Sequence, residues 1–200
     1  IKSMHYFLQA FNKRNPIYAD ILNYVSLGVL LNIPDAYFRQ LIDYVEQMDK
    51  LAKPSRWTPR DIFFVEPCGM DKQAKPSGWT PDLLLWFMLN SRMKEQEKQK
   101  YAETLAYPRL YNGLYKVIRA PNAAAAKDAL NKYLDRWYNL NSNAPWYNSH
   151  LKDNSYRGYW AWEVAAVAKI MHIDDSDLKN NQYYPYDMVH WADNETTAKE

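Results

Sequence analysis

Apolar residues recur at the three- and four-residue spacing of a helix along most of this chain. Ile17, Ile21, Leu22, Val25, Val29 and Leu30 follow an i, i+4, i+8 pattern behind Pro16, a residue suited to the first turn of a helix. Pro34-Asp35 punctuates, after which Phe38, Leu41, Ile42, Val45 and Met48 form one stripe opposed by Arg39, Asp43, Glu46 and Lys50. Two helices joined by Asn32-Ile-Pro-Asp35 predict an αα-hairpin. Leu83 to Leu89 is an apolar block, and Met93 to Lys100 is almost wholly charged or Gln, which reads as a solvated helix surface or an irregular link. Pro108 opens a helix in which Leu110, Leu114, Val117 and Ile118 share a face. Asn122 caps another over Ala123 to Tyr138, with Ala126, Leu130, Tyr133, Leu134 and Trp137 inward. The Asn- and Ser-rich stretch 139–154 around Trp146 reads as a loop. A helix over Tyr159 to Met171 follows, with Trp160, Val164, Val167 and Met171 at i, i+4, i+7 and i+11. No convincing period-2 strand appears. The prediction is all-α, one compact helical bundle of about eight helices over residues 1–200.

Residues 52–81 form a Pro- and Trp-rich central connection with an internal duplication. Ala52-Lys-Pro-Ser-Arg-Trp-Thr-Pro59 recurs as Ala74-Lys-Pro-Ser-Gly-Trp-Thr-Pro81. Thr-Pro reads in both copies as an N-cap followed by proline at the first helical position. The first copy would start a short helix at Asp61 to Glu66, the second a longer one from Asp82. Two copies fall short of a solenoid, so the duplication is read as a device that caps two helices.

Composition narrows the class. Seventeen Tyr and eight Trp against five Gly supply large buried or half-exposed rings and few positions for tight turns, which disfavours a hairpin-rich β fold. The lone Cys68 cannot close an intrachain disulfide, which fits a reducing compartment. No apolar run approaches the roughly 18 residues of a membrane span, and no signal-peptide pattern is visible. A cytoplasmic location is expected, with no membrane partner. The chain begins Ile1-Lys2-Ser3, and residues 1–16 are a candidate remnant of a further N-terminal helical portion. The net charge of +2 hides a segregation: residues 107–150 hold six Lys/Arg against two Asp, and residues 151–200 five against nine Asp/Glu. No basic stripe marks a DNA binder, whereas the acidic C-terminal quarter complements a basic protein.

Catalytic chemistry is hard to find. Glu163 stands in an otherwise apolar helix, where burial would raise its pKa and suit it to general acid or base work. With no second carboxylate at i+3 or i+4, a buried carboxylate bonded to a tyrosine, an arginine or a helix N-terminus fits better. His172 with Asp174 and Asp175, or Asp187 with His190, can be drawn as metal ligands, but neither paired Glu-x-x-His repeats nor Cys pairs are present. His172 at a helix end complements the macrodipole, and Asp174 or Asp175 is the expected N-cap of the turn Ser176 to Lys179. Phosphate-binding glycine loops and nucleophile elbows are missing, and Cys68 between Pro67 and Gly69 lacks a histidine partner. The reading assigns no catalytic residue, no cofactor and no metal.

The stretch Tyr156 to Trp191 is the most distinctive. Gly158-Tyr159-Trp160 with Glu163 and its following alanines, Ile173-Asp174-Asp175-Ser176-x-Leu178, and Tyr183-Tyr184-Pro185-Tyr186-Asp187 together resemble the PoNi family, immunity proteins that neutralise PoNe-type DNase effectors. Tyr107-Pro108, Trp137-Tyr138, and Trp146 with His150 look like the same domain, and Leu27 to Pro34 resembles its opening helix. The resemblance spans 17–191; the duplication over 52–81 departs from it. It implies a non-catalytic helical protein that binds a cognate DNase toxin, in type VI secretion-mediated interbacterial competition, and blocks its active site or DNA-binding face.

Within that resemblance Gly158, Tyr159, Trp160, Glu163, Pro185 and Tyr186 are assigned to the fold, with Trp160, Glu163 and Tyr186 as a buried aromatic and polar cluster. Toxin contact is expected from exposed acids and tyrosines: Asp174, Asp175, Asp177, Tyr183, Tyr184, Asp187 and Asp193. Charge reversal at Asp174, Asp175 and Asp177 should then weaken binding without lowering thermal stability. Direct nucleic-acid contact is not expected, and both monomer and homodimer remain open. Two alternatives are a helical hydrolase or transferase with Glu163 as base, and a nucleic-acid-binding adaptor using Arg109, Lys116, Arg119, Lys127 and Lys132. A pocket holding Glu163 with a second titratable group would favour the former, and a packed, hydrogen-bonded Glu163 would end it.

Overall fold

A computed structural model of the chain describes residues 18–51, 82–98, 104–152, 156 and 158–191. The helix start at Ile17, the side chain of Met48, the duplication over 52–81 with Cys68, and Asp193 lie outside the described residues. Among the described residues seven α-helices and no strand occur, close to the eight helices expected. Backbone contacts gather into two units, residues 1–107 and 108–200, a division the sequence pattern does not mark.

In the first unit α1 (Tyr18–Leu30) and α2 (Asp35–Leu51) form the expected hairpin, and α3 (Leu83–Asn90) packs on α1. Asn32 takes the left-handed conformation at φ 44°, one of the few side chains suited to it. The Ile33 N–H then returns to the Gly28 carbonyl at 3.3 Å, closing α1. Gly28 faces Phe38 and Leu41, and a methyl group there would come within 3.2 Å of both. The stripe Phe38, Leu41, Ile42 and Val45 is buried, while Arg39 and Asp43 are exposed. Apolar on almost every side, α3 is buried along nearly its whole length. Its cap is Asp82 rather than the Thr80 anticipated from the Thr-Pro pair: Asp82 Oδ1 accepts from the N–H groups of Leu84 and Leu85 at 3.0 and 3.1 Å. The same carboxylate accepts from the Tyr18 hydroxyl at 2.9 Å and from the Ala106 N–H, so it ties three segments together. Beyond α3, Arg92 lies 4.6 Å over the Phe38 ring and pairs with Asp35. Among its described residues, 93–98, the charged stretch that follows holds the short 3₁₀ turn Glu95–Glu97 and no α-helix, in keeping with the irregular link of the two readings offered.

The second unit contains α4 (Pro108–Ile118), α5 (Ala123–Leu140), α6 (Trp162–Met171) and the single turn α7 (Tyr186–Val189). Asn122 caps α5 by accepting from the Ala125 N–H at 2.9 Å, and the five side chains expected to face inward are its buried ones. α6 packs on both α4 and α5, and its Ala165, Ala166 and Ala168 are fully buried. Small side chains there allow close backbone approach. Gly113 serves α4 in the same way, since a Cβ would overlap the Tyr133 side chain at its Cβ, Cγ and Cδ2. Those atoms sit near the backbone and cannot swing aside. Gly113→Ala is therefore expected to destabilise the fold by about 1–2 kcal/mol, because overpacking of roughly 1–3 kcal/mol outweighs the gain of up to ~1 kcal/mol in helix propensity. Thermal unfolding checks this, and an unchanged or higher midpoint would contradict it.

Two further helix boundaries differ from expectation: α5 runs on to Leu140, past Tyr138, and the start of α6 moves. α6 begins at Trp162, not Tyr159, because Gly158 adopts φ +84° and the Ala161 N–H bonds to the Tyr183 carbonyl at 2.9 Å. Trp160 consequently leaves the core stripe and is 43% exposed.

Candidate protein-binding interface

Two buried carboxylates organise the second unit. Glu163, in the first turn of α6, accepts from the Trp137 Nε1–H on α5 at 2.6 Å. Burial pushes its carboxyl up to about 7, with its own backbone N–H and the Trp137 bond opposing the shift. Burial likewise holds the Tyr133 hydroxyl well above its ordinary range, with Glu163 adding to the effect. A general base must reach a substrate; Glu163 is packed and hydrogen-bonded, the condition set against the hydrolase alternative. The cluster expected around Glu163 is corrected accordingly: its indole partner is Trp137, Trp160 lies outside, and Tyr186 is half-buried against the His190 ring at 4.4 Å.

The other carboxylate is Asp175. Its Oδ2 accepts from the Tyr184 hydroxyl at 2.7 Å, and its Oδ1 lies 2.9 Å from His190 Nε2. Asp175 and Tyr184 are 4% and 2% exposed, so both are corrected from surface candidates to buried posts of the 172–190 loop. Burial and the neighbouring Asp175 raise the Tyr184 hydroxyl far above its ordinary range. His190 thus faces Asp175. Among the described residues no cluster of His, Cys, Asp and Glu is arranged to hold a metal ion.

Asp174, Asp177 and Asp187 are exposed, as anticipated, and Tyr183 is half-exposed. Lys127 on α5 bridges the first two at 2.9 and 3.0 Å, and Asn131 donates to Asp177 at 3.1 Å. The hydrogen bonds from Lys127 hold both carboxyls below the usual range and raise the ammonium in turn. Asp174 also accepts from the Ser176 N–H at 3.2 Å, whereas Asp175, at the N-cap position of the Ser176–Leu178 turn, makes no side-chain capping bond. His172 ends α6 in the left-handed conformation at φ 52°. The basic row of the adaptor alternative is broken, because Lys127 serves these acids and Lys132 pairs with Asp128.

At the other end of α5 lies a shelf of rings that periodicity did not reveal. Tyr138 stacks parallel on Tyr183 at 5.3 Å and on Tyr147 at 4.5 Å, and Tyr159 lies 5.0 Å away. Trp146 stacks on Trp137 at 5.4 Å and touches Tyr159 at 5.7 Å, while Tyr156, 56% exposed, meets Tyr159 edge-on at 5.1 Å. The Tyr138 hydroxyl donates to Asn148 Oδ1 at 2.8 Å, and the Tyr159 hydroxyl accepts from the His150 N–H at 3.0 Å. Tyr159 belongs to this shelf as well as to the fold motif. Just before it, Gly158 lets the Trp160 indole lie close to the backbone, since its φ disfavours other side chains and a Cβ would press on the indole nitrogen.

An all-α unit that buries two carboxylates under indole and phenol groups and leaves a cluster of rings half-exposed, with Tyr156 exposed, has the make-up of a protein-binding module. Residues 80–188 match the family described as PoNe immunity proteins (PoNi), C-terminal, and the chain belongs to that family. Compared with the curated proteins and with the solved structures, it has no significant match. No helix among the described residues is long and apolar enough to cross a membrane.

Proposed function

We propose that the chain binds a cognate PoNe-type nuclease toxin and blocks its active site or DNA-binding face. It thereby protects the cytoplasm of the producing cell and its kin during type VI secretion-mediated competition. The observation that carries this reading is the family match over residues 80–188, which takes in α3 through most of α7. In this reading the chain inhibits by occupying a surface and performs no chemistry of its own. The test is co-expression with the tagged nuclease domain of a PoNe-type toxin from the same genome. Co-purification and stoichiometric suppression of plasmid degradation are expected. A nuclease that stays active with excess chain present would overturn the reading.

The acidic turn takes part through Asp174 and Asp177, with Asp187 and Asp193 as further candidates. Replacing Asp174 and Asp177 by lysine is expected to weaken the complex, most visibly at low salt. It will also lower thermal stability slightly, because both acids are partners of Lys127. That revises the expectation of unchanged stability. Asp175 cannot share the test, since a lysine there would bury a charge beside Tyr184.

A further inference from the structure

We infer that the aromatic shelf at the C-terminal end of α5, formed by Trp146, Tyr147, Tyr156, Tyr159 and Tyr183 around Tyr138, is the surface that docks a Lys- and Arg-rich face of the nuclease domain; this rests on the toxin-binding reading above. Three features of the second unit converge on it.

The shelf is preorganised. Tyr138 and Tyr159 are held by Asn148 and His150, and the rings brace one another at 4.5 to 5.7 Å. Large rigid rings contribute contact area at low ordering cost, the property that favours Tyr and Trp at binding hot spots.

The shelf is also continuous with an acidic surface. Lys127, Asn131 and Tyr138 stand at i, i+4 and i+11 on α5 and so share one side of the helix. The loop leaving α6 runs along that side: Asp174 and Asp177 meet Lys127 and Asn131, and Tyr183 meets Tyr138. The two contacts are about 16 Å apart along the helix, at 1.5 Å per residue. Over 172–190 the exposed acids Asp174, Asp177 and Asp187 are set against Lys179 and the bridging Lys127, so this flank keeps an excess of one acid.

The partner chemistry follows. A nuclease must hold phosphate oxygens with Lys and Arg. Those cations are attracted to the exposed Tyr156 ring, to the half-exposed rings beside it and to the adjoining carboxylates. A basic DNA-binding groove satisfies both ends of the surface at once, which makes inhibition competitive with DNA.

Isothermal titration of an inactivated nuclease domain from the same genome's PoNe-type toxin tests this. Tyr156→Ala, at an exposed position, and Tyr147→Ala should each weaken binding by about tenfold, the size of a modest hot spot, with unchanged far-UV circular dichroism. A short DNA duplex should displace the wild-type chain. Hydrogen exchange on the wild-type complex, which needs no variant, should show protection at 146–151 and 183–184. Tight wild-type binding with neither the loss in the variants nor that protection would overturn the shelf and leave the toxin-binding reading intact. No wild-type binding at all would bring down both.

Discussion

Asp82→Ala is expected to lower stability by about 3 kcal/mol. The loss of an N-cap alone costs about 1 kcal/mol, and two further donors, the Ala106 N–H and the Tyr18 hydroxyl, would lose their acceptor at about 1 kcal/mol or more each when left buried. The carboxylate holds all of them, with Oδ1 serving Tyr18, Leu84 and Leu85 and Oδ2 serving Ala106. Asp82→Asn separates the contributions. Its oxygen can still cap α3, but its amide would set a donor against the Ala106 N–H, so an intermediate loss is expected. Urea unfolding of the three chains checks the order. Equal midpoints for wild type and Asp82→Ala would show that water replaces the carboxylate without cost.

The second large effect is a dependence of stability on pH centred on Glu163. Its folded pKa of about 7 lies above the ordinary 4.5 of a glutamate. A group whose pKa is raised by folding contributes fully below its unfolded value, and that contribution is lost as pH rises through the folded one. Stability should therefore fall between pH 4.5 and a little above 7, by up to ~3 kcal/mol from the linkage of proton binding to folding. Placement in the first turn of α6 works in the opposite direction, since a helix N-terminus favours the anion. Glu163→Gln keeps an acceptor for the Trp137 indole and removes the titration. It should flatten the profile and leave the variant more stable than wild type at pH 8. A wild-type profile unaltered by the substitution would assign the slope to other groups.

The helices were legible in the sequence wherever one face alone meets the core. α5 shows this best: Ala126, Leu130, Tyr133, Leu134 and Trp137 follow from spacing alone and are its buried residues. The start of α6 was misread because Trp160 continues an apolar period that the backbone does not follow. Gly158 turns the chain, and the Ala161 N–H is taken by Tyr183, distant in sequence. Polar burial was less visible still. Asp175 and Tyr184 look like surface residues among acids and tyrosines, and what takes them inside is their bond to each other and the approach of His190. Such pairings have no period. The ring shelf was hidden for the same reason, since Trp146, Tyr147, Tyr156 and Tyr183 lie outside regular helices and meet only through the tertiary fold. The clue available beforehand was the abundance of tyrosine and tryptophan, which does not say where they gather.

The loop between α6 and α7 divides its labour residue by residue. Ile173, Asp175, Leu178 and Tyr184 point inward and set its path, while Asp174, Ser176, Asp177 and Lys179 alternate with them on the outside. The inward set supplies the buried anchors, while Asp174 and Asp177 add only exposed ties to Lys127 and Asn131, so the outward set can be rewritten at modest cost to the loop, much as antibody loops vary on a constant framework. Under the proposed toxin-binding reading, a lineage facing a new toxin would be able to change what it recognises by a few substitutions at these outer positions while its scaffold stays as it is.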